Sequence, residues 1–199
     1  VVLNIVFDLG NVVLDWDPQR ILAQLQLTPA RSEQLQQELF KHGDWLDFDC
    51  GLVNEATLIK RVSARCDFSP AELTHCLLLA KQSLTEIEPT VALMEQIHRA
   101  GIAQYCLSNM PNETFTFIKE KPFFNYFSGI VISAQVKMIK PSAALFLYTL
   151  DRFGLQAADT LFVDDSAANI AAAEELGIQC VHFKRSPACY QSIVQALQL

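Results

Sequence analysis

Four chemically useful features are spread along the chain, and each follows an apolar run. Asp8 closes Ile5-Val6-Phe7, and Ser108-Asn109 follows Tyr105-Cys106-Leu107. Lys140-Pro141 comes shortly after Gly129-Ile130-Val131-Ile132, and Asp164-Asp165 follows Leu161-Phe162-Val163. A lone carboxylate at the end of a buried strand is costly unless it has a partner or a task. In an open parallel sheet, ligands bind beyond the carboxyl ends of the strands. A carboxylate there can attack phosphorus and carry the phosphoryl group covalently. A hydroxyl such as Ser108 can donate to a phosphate oxygen, and Lys140 supplies a cation. Two further carboxylates suit Mg²⁺, a hard ion that takes oxygen ligands. Each feature alone has an ordinary reading: Ser-Asn makes turns, and Asp164-Asp165 can cap the helix that follows. Four of them in order, each behind an apolar strand, make coincidence improbable.

The elements that must position these residues fall into two blocks. From about Asp15 to Thr85 no strand pattern appears. Asp17-Pro18 and Thr28-Pro29 pair an N-cap with proline at the first helical position. Asn54 can cap a helix carrying Ala56, Leu58, Ile59 and Val62, and Ser69-Pro70-Ala71-Glu72 is a capping box. From Glu88 onward strands and helices alternate. Pro89 opens a helix stopped by Gly101, and Ile102–Leu107 is a strand. Pro111–Glu120 is a helix, Gly129–Ile132 a strand, and Pro141 starts a helix ended by Gly154. Thr160–Val163, the helix Ala167–Leu176, the strand Ile178–Phe183 and a terminal helix after Pro187 complete the series. Alternation of this kind means parallel βαβ units. The expected fold is α/β: a doubly wound, Rossmann-like parallel sheet core, residues 1–14 and 86–199, with an inserted α-helical bundle cap, residues 15–85.

The 199 residues are 51% hydrophobic and 19% charged, which favours a packed core over disorder. The net charge of −7 disfavours nucleic-acid or anionic-membrane binding, which needs basic patches. No apolar run approaches a membrane span, and no signal peptide is visible. The six cysteines are scattered without metal or redox spacing, so buried reduced thiols and a cytoplasmic location are expected. Because the chain starts at Val1, an initiator or a few residues are expected to precede it. The expected partner is a small molecule; oligomeric state has no signature.

The strings FDLGNVVLDWD, LSNM, KMIKP and FVDDSAANIAAAEELGI together resemble the haloacid-dehalogenase-like (HAD) hydrolase superfamily. The resemblance covers essentially the whole chain, including the insertion, which is similar to that family's α-helical cap. It implies a Mg²⁺-dependent phosphomonoester hydrolase that works through an aspartyl-phosphate. By resemblance Asp8 is the nucleophile and Ser108 and Asn109 hold the transferring group, which Lys140 steadies. Asp8, Asp164, Asp165 and the backbone carbonyl of Gly10 are implied around the metal.

Position 10 departs from the family's pattern. Most of its phosphatases carry there an aspartate that protonates the leaving group and activates water; glycine can do neither. General acid–base catalysis typically contributes about 10²–10⁴-fold. DLGNV followed by Asp-x-Asp resembles a bacterial sugar-phosphate phosphatase branch that includes α-D-glucose-1-phosphate phosphatases. The C-terminal pattern is similar to the phosphatase domain of soluble epoxide hydrolases. Asp15 and Asp17 are weak substitutes for the missing acid. Water, or a leaving group that departs easily, is expected to cover the deficit. Restoring Asp at position 10 should then help poor leaving groups more than good ones.

Substrate choice is expected from His42–Asp49, a dense polar–aromatic segment between helices. Trp45 and Phe48 could stack on a sugar ring, with Asp44, Asp47 or Asp49 bonding its hydroxyls; Trp45 and Asp44 are the substrate-binding candidates there, beside Asn109. Equally, Phe48 and Trp45 could be lobe core and the aspartates loop caps. Two other functions compete. A 2-haloacid dehalogenase needs no metal and has no use for Asp164-Asp165. A catalytically weak phosphate-binding or regulatory protein is supported by Gly10 and opposed by the retained Asp8, Ser108, Lys140 and Asp164.

Overall fold

A computed structural model describes residues 2–199; Val1, expected at the head of the first strand, lies outside them. Five strands form one all-parallel sheet: β1 (Asn4–Phe7), β2 (Ala103–Ser108), β3 (Phe127–Ile132), β4 (Thr160–Asp164) and β5 (Gln179–His182). Their spatial order is β3-β2-β1-β4-β5. The first strand therefore sits in the middle, with Phe7 in register with Cys106 on one side and Val163 on the other. Asp8, Ser108 and Asp164 are brought to one edge of the sheet by that register.

Side-chain alternation divides the core into two faces. Ile5, Phe7, Cys106, Leu161 and Val163 enter one apolar cluster. Val6, Leu107, Val131 and Phe162 enter the other. A third cluster is made by Ile21, Leu35, Leu39, Phe48, Leu58, Leu73 and Leu77, all from the segment between β1 and β2. This segment forms a helical lobe of α1 (Pro18–Gln24), α2 (Pro29–Leu35), a wide π turn over Gln36–Phe40, α3 (Gly43–Asp49), α4 (Glu55–Ser63) and α5 (Pro70–Gln82). The expected caps are present: Asp17, Thr28 and Asn54 accept from first-turn amides, and Ser69 and Glu72 form the capping box.

The rest of the chain supplies α6 (Glu88–Arg99), α7 (Asn112–Ile118), the short α8 (Ser133–Val136), α9 (Ala143–Phe153), α10 (Ala167–Glu175) and α11 (Pro187–Leu197). Three local expectations are corrected. His42–Asp49 is not a connection between helices, because Gly43–Asp49 is itself helix α3, capped by the His42 ring, which accepts from the Asp44 amide. Pro141 does not open a helix: Lys140-Pro141 is a cis peptide in a turn, and α9 begins at Ala143. The third strand starts earlier, at Phe127. All six cysteines are free thiols. Among the described residues no helix is long and apolar enough to cross a membrane.

Candidate active site

The carboxyl edge of the sheet holds a buried charge cluster built by three strands. Lys140 Nζ lies 2.8 Å from Asp8 Oδ1 and 2.7 Å from Asp164 Oδ2, and donates to the Leu107 carbonyl at 2.9 Å. Asn109 fixes the backbone of that lysine. Its side-chain oxygen accepts from Lys140 N at 2.9 Å, and its amide donates to Lys140 O at 3.0 Å. Asp164 accepts from the Ser166 amide and from Asn169 Nδ2. Asp165 accepts from Asn11 Nδ2 at 3.1 Å.

Carboxylate oxygens of Asp8, Asp164 and Asp165 lie within 4.8 Å of one another. Asp8 and Asp164 share one ammonium, and Asp165 adds a third carboxylate beside them. Burial pushes Asp8 up from its ordinary range; Lys140 pulls it down and Asp164 pushes it up again. Asp165 is also raised, by burial first, against the hydrogen bond from Asn11. For Lys140, burial favours the neutral amine, but Asp8 and Asp164 outweigh it and raise the pKa. Such uneven charge is what a divalent cation relieves, and an all-oxygen donor set suits Mg²⁺.

A cavity of about 180 Å³ opens from this cluster toward the helical lobe. Asp8, Gly10, Ser108, Asn109, Lys140 and Asp165 line its sheet side. Trp16, Trp45, Phe48 and Leu77 line the lobe side. Trp16 and Trp45 stack at 5.7 Å, and Phe40 meets both from behind. Phe48 is fully buried and belongs to the lobe core while touching the cavity. Trp45 is half-buried and is both wall and core edge.

Of the positions expected to touch substrate, Asn109 and Trp45 line this cavity and Asp44 does not. Asp44 turns to the other side of α3. Arg61 holds one of its oxygens at 2.7 Å and Arg65 the other at 2.6 Å. Asp47 pairs with Arg61 at 3.1 Å. The physical reason is helical: Asp44 and Asp49, five apart, cannot share a face with Trp45 and Phe48 equally. Asp49 lines the cavity. Asp15 and Asp17 are outside it as well. Asp17 caps α1, and Asp15 pairs with Arg185 and Thr85. Partial burial would raise Asp15, but those bonds lower its pKa overall, so it is a poor proton donor. Arg20 is exposed, and its guanidinium lies beside Asp15 and Asp17.

Sequence reasoning missed Trp16, Lys81, Glu55 and the supporting asparagine Asn11. Lys81 and Glu55 form a 2.8 Å ion pair across α5 and α4 at the cavity wall. Nothing in the local pattern distinguishes them from solvated helix charges. Trp16 lies in the DWD string between two aspartates, and an aromatic there carries no local sign of its place in the wall.

The family model for haloacid dehalogenase-like hydrolase matches residues 4–177. The sesquiterpene phosphatase astK of Aspergillus oryzae is 24% identical over 96% of this chain and 94% of its own. D-ribitol-5-phosphate phosphatase of Bacteroides thetaiotaomicron is 23% identical over 88% of this chain and 89% of its own. The drimenol cyclase drtB of Aspergillus calidoustus is 27% identical over 91% of this chain, which spans only 34% of that longer protein. In fold, the HAD family enzyme bt-2542 of B. thetaiotaomicron, solved with magnesium and inorganic phosphate, superposes with a TM-score of 0.74. It is 21% identical and covers 92% of this chain and 95% of its own.

Proposed function

The chain belongs to the haloacid dehalogenase-like hydrolases, and we propose that it is a Mg²⁺-dependent phosphomonoesterase working through an aspartyl-phosphate on Asp8. The observation that carries this reading is the uneven charge at the sheet edge: three carboxylates within 4.8 Å and one ammonium, opening into a cavity. Asp8, Asp164, Asp165 and the Gly10 carbonyl are the groups to hold the ion, which when bound neutralises phosphate charge. Asp8 attacks phosphorus in line with the departing ester oxygen. Ser108, at the end of β2, donates to a phosphate oxygen, and Lys140 keeps Asp8 oriented while offsetting its charge. Residues 15–85 act as a cap over this edge.

The substrate body meets a mainly apolar wall. A sugar phosphate is supported by the flat Trp16–Trp45 pair, but Asp44 and Asp47 are committed to arginines and are not free to bind hydroxyls. A prenyl or other apolar phosphate ester suits the same wall, and one relative bears the name of a sesquiterpene phosphatase. The dehalogenase reading has less support. Among the described residues no arginine lines the cavity to receive a halide, and metal-free attack on carbon has no use for the Asp164-Asp165 pair beside Asp8.

Phosphate release from hexose phosphates, polyol phosphates, prenyl phosphates and p-nitrophenyl phosphate, with Mg²⁺ and with chelator, tests the reading. Release that needs Mg²⁺ and vanishes in Asp8→Asn is expected. Chloroacetate turnover that survives chelation would establish the dehalogenase instead. Absence of turnover, together with Mg²⁺-dependent stabilisation by beryllium fluoride, would favour the binding protein.

A further inference from the structure

The geometry points to Asp49, at the end of helix α3, as the proton donor and acceptor that position 10 lacks. This rests on the phosphatase reading above and goes beyond it. Asp49 lines the same cavity as Asp8 and Gly10. The other lobe and hinge aspartates nearby are engaged elsewhere: Asp15 by Arg185, Asp17 by the α1 amides, Asp44 and Asp47 by Arg61. Asp49 has no ion-pair partner among the described residues, since the nearby Lys140 is taken by Asp8 and Asp164.

The position of Asp49 is set by the core, although it belongs to the lobe. Ser133 Oγ donates to the Asp49 carbonyl at 2.5 Å and accepts from the Met110 amide at 2.8 Å. Two residues on, Gly51 adopts φ +70, and a Cβ there would collide with the Ala134 carbonyl, so only glycine allows this approach. Lys137 Nζ donates to the Gly51 carbonyl at 2.7 Å. Ser133, Ala134 and Lys137 all lie just after β3, beside the catalytic edge. The end of α3 is thus pinned to the sheet by groups that have no need of substrate.

Its surroundings favour a carboxyl that can hold a proton near neutrality. Burial raises Asp49 to about 7 and the charge of Asp8 adds to this, while the Trp45 side chain and Lys140 oppose it. A general acid–base group works best with a pKa near the working pH.

In the first step Asp8 forms the bond to phosphorus, the ester P–O bond breaks, and the departing oxygen takes the proton of the Asp49 carboxyl. In the second, water attacks the aspartyl-phosphate and gives its proton to the Asp49 carboxylate. The Asp8–phosphorus bond breaks, and phosphate leaves. Asp49 ends protonated, as it began. Because the acid comes from the lobe, proton transfer to poor leaving groups requires the lobe to be seated.

Rapid-mixing kinetics of Asp49→Asn on p-nitrophenyl phosphate and benzyl phosphate, with Mg²⁺, separates the steps. Nitrophenolate leaves without a proton, so its first-turnover burst should survive while steady turnover falls by about 10²-fold or more. Benzyl phosphate should lose the burst as well. Gly10 has room for a side chain, because beyond its chain neighbours an added Cβ would meet nothing closer than 3.9 Å. Gly10→Asp added to Asp49→Asn should therefore restore benzyl phosphate turnover at least tenfold. Equal losses on both esters with no rescue, or no loss on either, would overturn the assignment. A wild-type protein that with Mg²⁺ shows no Asp8-dependent phosphate release from either ester would instead overturn the phosphatase reading itself.

Discussion

Two charge clusters lie on either side of helix α3, and they are built differently. On the outer side, Glu38, Asp44 and Asp47 face Arg61 and Arg65, and His42 lies 3.2 Å from Asp44. Each acid has a guanidinium, and the hydrogen-bond geometry is closed. On the sheet side, Asp8 and Asp164 share Lys140, and Asn169 and Asn11 donate to Asp164 and Asp165. The first cluster holds the lobe together. The second is left short of positive charge, which is unfavourable for folding and useful for binding a cation and an anionic ester. Composition alone would not separate them, since both are acidic residues beside bases.

The contrast is most exposed at Asp8. Asp8→Asn should reduce phosphate release by on the order of 10⁴-fold, whereas Asp44→Asn should change it little; similar losses in both would erase the distinction. Removing the cation-binding groups comes next. If the sheet-edge cluster is short of charge, Mg²⁺ should raise the wild-type melting temperature, by about 2–3 kcal/mol of stabilisation at a hundredfold excess over Kd. Asp164→Asn should remove most of that shift. A melting curve indifferent to Mg²⁺ would show that Lys140 already satisfies the site.

Removing Lys140 itself, as Lys140→Met, should leave Asp8 and Asp164 buried without their counter-ion. A loss of about 3–5 kcal/mol is expected in chelator, read by chemical denaturation, with part of it recovered in Mg²⁺. Failure of Mg²⁺ to recover any would place the ion and the lysine in separate roles.

The smallest effect is at Asp44. Partial burial would raise its pKa, but the bonds from Arg61 and Arg65 lower it overall. A carboxylate depressed in the folded state stabilises the fold above its unfolded pKa and loses that contribution as pH falls through the folded value. Asp44→Asn should therefore cost about 1–2 kcal/mol at pH 7. The difference should close in acid, below the ordinary carboxylate range near 3.9. A gap that persists at low pH would mean that packing, not charge, is what Asp44 supplies.

Asp8, Ser108, Asn109, Lys140 and Asp164 could be found in the sequence because each follows a strand whose residues are nearly all apolar. The strand register then carries Asp8, Ser108 and Asp164 together, while Lys140, beyond α8, is held there by the Asn109 side chain and the two carboxylates. The lobe was legible as helices, through Asp17, Thr28, Asn54 and Ser69, but not as a binding surface. Asp44, Asp47 and Asp49 look alike in sequence. Which of them enters the cavity depends on where α3 starts and on arginines from α4 and the turn after it, and neither is written in the local pattern. Trp16 shows the same limit, because its role comes from stacking on Trp45, which is distant in the chain.

The alternation of strands and helices, the helical insertion and the residues at the sheet edge are all present in the order of the amino acids. They follow from periodicity, capping and strand ends, which act over a few neighbours. Three outcomes needed the packed molecule: which lobe acids are neutralised, what walls the cavity, and which aspartate of α3 lines it beside the bare Gly10. Those depend on contacts between helices far apart in sequence, where a change of one helical step turns a side chain from the cavity to the solvent.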